Sequence, residues 1–453
     1  MDDRKRLQEI DRRFIWHPFT QMKDWPAEDP LIITEGNGCF IRDSDGRWYL
    51  DGVSSLWVNI HGHRRREIDE AIKAQVDRIS HSTLLGMGNV PSIELADRLA
   101  GLLRQSGMAG LTKIFYSDNG STAVEVALKM AFQYWRHRGD SGRNAFISLD
   151  NAYHGDTLGA VSVGGIPIFH DTFRPLLFKS FRTASPYCYR CELAAEPTHC
   201  GMACLEKMDD VLREHHQEIA AVIVEPIVQA AGGMIIWPEG FLRGVRGLCD
   251  RYGLLLIADE VATGFGRTGR MFACEHEAVV PDIICLSKGI TGGYLPLAVT
   301  VATEKIYNAF LGEFSELKTF FHGHSYTGNP LGCAAAIACL GIFEQEDTIA
   351  GMQPKIKILR EKLEAMSSHP HVGDVRNRGL MAGIELVRDK ETKEPYPWEQ
   401  KMGWRVSRYA REKGILIRPL GNVVVIMPPL SIAEDDLTKM LDVIHDGIRE
   451  CCR

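Results

Sequence analysis

The sequence predicts an α/β protein: a large portion built on a mainly parallel central sheet flanked by helices, and a smaller α+β portion drawn from both chain ends. Three observations carry this expectation. Five short apolar runs, AFISLD (145 to 150), AAVIVE (220 to 225), LLLIADE (254 to 260), DIICLS (282 to 287) and LAVTVA (297 to 302), alternate with helical stretches. Continuous branched runs of this kind mark strands buried on both faces. Before them, LIIT, CFIRD and RWYLD alternate with the turn tripeptides GNG and SDG, a pattern of small hairpins. Beyond residue 331 come two amphipathic helical stretches, a GLMAGIELV strand and a hairpin-like piece, ILIRP followed by VVVIMPP. The expected divisions are residues 1–60, 61–330 and 331–453. The middle division would bind the ligand, and the outer two would form the smaller portion.

Composition narrows the function. The 453 residues are 45% hydrophobic and 25% charged, which is ordinary globular usage. The 52 basic and 59 acidic side chains leave a net charge of −7, which supplies no field for holding nucleic acid. The start, MDDRKRLQEIDRRF, is charged from its second residue, and no apolar run approaches the ~18 residues of a membrane span. A cytoplasmic protein with no membrane partner is expected, and its 12 cysteines should be mostly thiols.

In open α/β sheets ligands gather beyond the carboxyl ends of the strands. The residues ending each run are therefore the informative ones: Asp150 to His154, Glu225, Asp259 with Glu260, and Ser287 with Lys288. Lys288, leaving an apolar strand, would be partly desolvated, which eases loss of its proton and suits Schiff-base formation with a carbonyl. Asp259 ends the preceding run, where a carboxylate could keep a pyridinium nitrogen protonated; on its own it would be a strand-end cap. Ser117 to Thr122 lead into the helical AVEVALKMAFQYWRHR, and a Gly-Ser turn at a helix start presents free N–H groups to a phosphate. Tyr153 with His154 could stack on a ring or simply fill core. Gly264, Gly266 and Gly269 spell a dinucleotide fingerprint, but several residues separate them from their strand and the next acid, Asp282, begins a strand instead of ending one. Nicotinamide is rejected, and Arg267 is read as a contact to a carboxylate, Glu225 included.

Taken together, LIADEVATGFGRTG (256 to 269) and DIICLSKGITGG (282 to 293) resemble the class III pyridoxal-phosphate aminotransferases of fold type I, over nearly the whole chain. Within that family WHPFTQM (16 to 22), GVSSLWVNIHGH (52 to 63), the run from Tyr153 to Thr157, HGHSYTGNP (322 to 330) and IRPLGNVVVIMPPL (417 to 430) look like the members that aminate 8-amino-7-oxononanoate to 7,8-diaminononanoate for biotin. The resemblance implies pyridoxal phosphate as cofactor, held by Lys288 as a Schiff base, with Lys288 also moving the substrate proton. It implies Asp259 on the pyridine nitrogen, Val261 beneath the ring, Tyr153 on its other face, and Gly120 with Ser121 on the phosphate. His324 and Ser325 would join from a second subunit, so a homodimer is implied. Phe19, Trp57, Gly323, Lys288 and Arg418 would bind substrate, Arg418 through its carboxylate.

Three departures from the family pattern stand out. Phe19 stands for a tyrosine, Leu56 for the first of two adjacent tryptophans, and His324-Ser325 for Pro-Thr. The first two lie where the amino donor binds, which leaves S-adenosylmethionine and lysine both open as donors. Other class III ω-aminotransferases and an aminomutase on the same scaffold remain alternatives. Cys188, Cys191, Cys200 and Cys204 stand apart from this pattern. They could hold a structural zinc or remain reduced thiols, and no metal is assigned to the catalytic site.

Overall fold

In the computed structural model, which describes residues 3–193 and 200–452, a seven-stranded sheet occupies the middle of the chain. Its order is Leu111–Ser117, Ala298–Thr303, Ile283–Leu286, Leu255–Asp259, Ile219–Val224, Ala145–Leu149 and Ser180–Thr183. The last five pair in parallel, each with the next. Ala298–Thr303 runs against both of its neighbours. Six strands therefore point one way, and their carboxyl ends share one edge. The sheet is mainly parallel, as the apolar runs predict, and its inner strands are buried along their whole length. Two strands carried no such signal. Leu111–Ser117 is only half-buried over Thr112 to Phe115, and Ser180–Thr183 is an edge.

Helices cover both faces. The helix Gly120–His137 buries Ala123, Val124, Ala127, Leu128, Ala131 and Tyr134 against one side of the sheet, at the spacing expected of a helix face. Helix Phe241–Tyr252 buries Phe241, Leu242, Val245, Leu248 and Cys249 in the larger core cluster. Pro330–Gln345, expected to be amphipathic, is apolar on all sides because it lies between the helices Arg66–Arg78 and Val90–Gln105. Gln353–Ser367 is the amphipathic one, burying Ile356, Leu359, Leu363 and Met366. Among the described residues no helix is long and apolar enough to cross a membrane.

The chain ends meet. Ile33–Asn37, Phe40–Asp43 and Trp48–Asp51 form antiparallel hairpins, as their turn tripeptides predict. Ile415–Leu416 then adds in parallel to Trp48–Asp51. The hairpin expected between ILIRP and VVVIMPP does not form. Ile415–Leu416 goes to this N-terminal sheet, whereas Val423–Ile426 pairs with Met381–Asp389 in another. Pro419, with no N–H to donate, breaks the ladder between them, and a lone bridge from Leu420 to Val423 turns the chain.

Close packing of the central sheet makes a test. Ile223→Ala, in a fully buried strand, should cost about 2–5 kcal/mol, whereas Ile33→Ala at an exposed site should stay within about 0.5 kcal/mol. Urea denaturation should show the loss as a lower midpoint at unchanged slope.

Candidate active site

At the shared carboxyl edge lies a cavity of about 430 Å³, lined among others by Trp57, Gly120, Ser121, Tyr153, His154, Glu225, Asp259, Val261 and Lys288. The sequence-predicted strand-end residues are thus gathered around one space. Lys288 follows its strand with φ +45, a left-handed conformation uncommon for a side-chain-bearing residue, and opens the short 3₁₀ turn Lys288–Thr291. Ser287 anchors the bend by donating its hydroxyl to the Leu297 carbonyl at 2.9 Å. The Lys288 ammonium nitrogen stands 5.3 Å from the centre of the Trp57 ring. Burial holds its pKa below the usual lysine value, while Asp259 and Glu225 pull the other way.

Asp259 is only 4% exposed. One of its oxygens meets His154 Nδ1 at 2.7 Å, and the other accepts from the Val261 N–H at 3.1 Å. Glu225 accepts from the Tyr153 and Ala230 N–H groups, each at 3.0 Å, so it fixes the backbone that carries Tyr153 and His154. Tyr153 donates its hydroxyl to Asp156 at 2.8 Å, and the Asp156 N–H donates to Ser121 Oγ at 3.1 Å. His154 was legible only as a ring beside Tyr153. Its pairing with Asp259 is a contact across the sheet, and the one available signal was that both residues end strands on the same edge.

The helix Gly120–His137 starts at this cavity. Its cap, Asn119, satisfies the Thr122 N–H, leaving the Gly120 and Ser121 N–H groups without an intrahelical acceptor. A Cβ on Gly120 would stand 2.6 Å from Val261 Cγ1, so only glycine lets the helix start lie against Val261. Gly155, at φ +126, would place a Cβ 2.1 Å from Ser121 Oγ. The residues present fit pyridoxal phosphate, the cofactor implied by the sequence. They comprise an amine, a buried carboxylate, an anion-binding helix start, and the buried indole nitrogen of Trp57 and Nε2 of His154, both without a hydrogen-bond partner.

Other predicted residues lie further out. Phe19 is exposed, its ring 5.3 Å from Phe169, which in turn lies 6.2 Å from Tyr153. Arg418 donates to the Phe19 carbonyl at 3.5 Å and lies over Trp404, its pKa lowered by burial. Neither lines the cavity wall. Nor do Gly323, His324 and Ser325, which sit in a turn where the His324 N–H donates to Thr327 at 3.0 Å. Arg267 does not reach Glu225. It is 1% exposed and donates to the Pro428 and Asn59 carbonyls at 2.6 and 2.8 Å, because the loop carrying it packs under the chain ends. The Gly264 to Gly269 segment runs through turns into a bend and starts no helix; a Cβ on Gly266 would stand 2.7 Å from Leu430 Cδ1.

Cys188, Cys191, Cys200 and Cys204 border a second cavity, of about 450 Å³. Burial raises the Cys188 thiol pKa, helped by Cys200 and Cys191. Among the described residues no group of three or more His, Cys, Asp or Glu side chains is placed to hold a metal ion, and residues 194–199 between these cysteines lie outside the described set.

The profile of the family described as aminotransferase class-III matches residues 23–448. The chain belongs to the class-III aminotransferases. Its architecture is that of fold type I, as solved relatives bear out. This class-III aminotransferase is 56% identical over 447 residues to the adenosylmethionine-8-amino-7-oxononanoate aminotransferase of Geobacter sulfurreducens, with 98% of each chain covered. The crystal structure of the enzyme of that name from Methanocaldococcus jannaschii shares 50% identity and a TM-score of 0.94, covering 99% of this chain and 100% of its own. An amine transaminase from an uncultivated Pseudomonas species, solved in its PLP-bound form, shares 38% identity and a TM-score of 0.90, covering 97% of this chain and 99% of its own.

Two buried acids give this class-III aminotransferase a pH signature. Burial pushes Glu225 up from 4.5 to about 7, and Glu260 likewise, although Glu260 accepts from the Ala273 and Cys274 N–H groups. A carboxyl raised by folding contributes stability that is full below its ordinary value and is lost as pH climbs through its folded value. The Tm of the cofactor-free protein should therefore fall from about pH 4.5 to about 7, and Glu225→Gln should flatten part of that fall in calorimetry across the window.

Proposed function

We propose that this chain transfers an amino group to the 7-keto carbon of 8-amino-7-oxononanoate, giving 7,8-diaminononanoate in biotin synthesis, with pyridoxal phosphate as cofactor and S-adenosylmethionine as donor. The observation that carries this reading is the gathering of a desolvated amine, Lys288, a buried carboxylate, Asp259, and a helix start, Gly120–Ser121, in one cavity. The names of relatives 50–56% identical supply acceptor and donor.

When bound, the cofactor supplies the electron sink that lets an amine lose its α-proton and that stores the amino group between half-reactions. The chain supplies position and charge. Asp259 would hold the proton on the pyridine nitrogen; each of its oxygens has a second lone pair left after meeting His154 and Val261. The Gly120 and Ser121 N–H groups would bind the phosphate, with Tyr153 and Val261 closing the two faces of the ring. Lys288 Nζ, neutral at a lower pH than an ordinary lysine, would take the proton from the substrate carbon and return it. Trp57 and Phe19 would wall the apolar slot for the substrate chain, and Arg418 would pair with its terminal carboxylate in bidentate fashion. A second copy would bring Gly323, His324 and Ser325 to this site, making a homodimer. Two features support that: the segment stays outside its own chain's cavity, and it is bordered by exposed apolar side chains, among them Phe314 at 95% and Phe321 at 73%.

The purified protein should be yellow, lose its visible absorbance on borohydride reduction, and carry the label on Lys288, while Lys288→Ala should lose turnover and bind the cofactor only reversibly. A wild-type spectrum that borohydride leaves unchanged sinks the reading. Arg418→Ala should raise KM for 8-amino-7-oxononanoate roughly 10–100-fold and leave a carboxylate-free ketone nearly untouched. Equal losses for both ketones would move the chain to another class-III amine transaminase activity.

A further inference from the structure

Four consecutive residues, none of them glycine, have left-handed backbones: Ser54 at φ +52, Ser55 at +48, Leu56 at +72 and Trp57 at +70. Side-chain-bearing L residues avoid this region because Cβ crowds the following carbonyl, and they enter it singly, not in runs. Such a run persists only where the surroundings over-determine it, and it clusters at functional sites. Nothing in the local sequence SSLW demands it, so the cause must lie in what holds the turn.

The holder is Asp51, buried at the end of its strand. One carboxylate oxygen accepts from the Ser55 N–H at 2.9 Å, and the other accepts from the Ser55 hydroxyl at 2.7 Å and meets His63 Nε2 at 3.1 Å. Ser54 ties the turn from the other side by donating its hydroxyl to the Met427 carbonyl at 2.7 Å. The Val58 and Asn59 N–H groups close on the Ser54 carbonyl at 3.0 and 3.1 Å, and Arg267 grips the Asn59 carbonyl just beyond. The exit of this turn delivers Trp57, which is 7% exposed, to the cavity wall with its ring 5.3 Å from the Lys288 amine. Leu56, one residue earlier, is 52% exposed and faces away from the cavity, so the turn selects Trp57 for the wall.

We propose that Asp51 is a positioning residue for the amine site: its carboxylate locks the left-handed turn Ser54–Trp57 and thereby seats the Trp57 ring against Lys288. Asp51 does not line the cavity and reaches the amine through Trp57; its charge also favours that of buried Arg267, a weaker effect that the Trp57→Ala background separates. The inference deepens the transaminase reading but does not depend on it, because the amine and its ring wall exist in the cofactor-free chain.

The test is a double-mutant cycle of Asp51→Ala and Trp57→Ala in the full chain, with two readouts. The first is the pH profile of Lys288 labelling by an amine-acylating reagent in cofactor-free protein, followed by peptide mass analysis. Asp259, Glu225, Arg267 and Asp156, the charged groups acting on Lys288, are intact in every variant. Removing the ring wall admits water, so Asp51→Ala should move the profile upward, toward an ordinary lysine, and Trp57→Ala should move it as far. The double variant should match the single variants. The second readout is transamination rate, which Asp51→Ala should lower roughly ten- to a hundredfold while leaving it unaffected in a Trp57→Ala background. A labelling profile unmoved by Asp51→Ala, or effects that add in the double variant, would overturn the proposal. Ser55→Ala, which removes only the hydroxyl donor, should shift the profile the same way by less, and it decides the matter if Asp51→Ala does not fold. Should transamination be absent from the wild type, the labelling cycle still stands alone, so the two readings fail separately.

Discussion

The amine of Lys288 sits where burial opposes its charge while Asp259 and Glu225 favour it, and much of the molecule exists to maintain that contest. Were water admitted, the amine would be a protonated surface lysine and a poor nucleophile. Were the carboxylates absent, it would lose its proton more readily still. The parallel sheet resolves this by setting both acids and the amine at the ends of neighbouring strands, with Asp259 paired beside Cys285 in register. Fully buried strands hold that spacing against the solvent at the edge. Asp259 is in turn steadied by His154, and Glu225 fixes the backbone of the segment that carries His154, so the charges form one connected set.

The wall opposite is built on another principle. A left-handed turn of four L residues costs about 1–2 kcal/mol per residue, a sum comparable to a large part of a domain's net stability. It is offset by hydrogen bonds from nearby Asp51, four residues before Ser55, and from two distant parts of the chain, the Met427 carbonyl and Arg267. Arg267 makes the same point in charge. Burial brings its pKa down to about 9, and two backbone carbonyls stand in for water around it. Strain and buried charge are thus concentrated where the N-terminal segment, the C-terminal segment and the loop after Asp259 converge.

What could be read from the sequence follows from how each signal arises. Leu255–Asp259 and Ile283–Leu286 were legible because a strand buried on both faces leaves an unbroken apolar run; Lys288, Asp259 and Tyr153 follow from where such runs end, and Gly120 from the Gly-Ser turn that opens a helix. Leu111–Ser117 was not, since half-buried Thr112 and Lys113 interrupt its pattern. Pairing between short strands far apart in sequence leaves no local trace, which is why Ile415–Leu416 and Val423–Ile426 looked like each other's partners. The helix Pro330–Gln345 misled in the opposite way, since burial along most of its length removes the polar face that marks an amphipathic helix. The His154–Asp259 pair escaped because it is a tertiary contact, and the turn at Ser54 escaped because no propensity points to a left-handed run, although its main holder, Asp51, is only four residues from Ser55.

That the two ends of the chain share one sheet bears on how the molecule is made. Arg47 donates to the carbonyl of Glu412, 365 positions away, and Trp48–Asp51 is flanked by Ile415–Leu416. On a ribosome the N-terminal hairpins emerge early and must wait, unpaired on one edge, until nearly the whole polypeptide has been synthesised. The anchor for Ser54, the carbonyl of Met427, arrives later still. The central sheet can form first, but the pocket around Lys288 closes only when translation is almost over, so a truncated product would fold its scaffold and yet lack a sheltered amine.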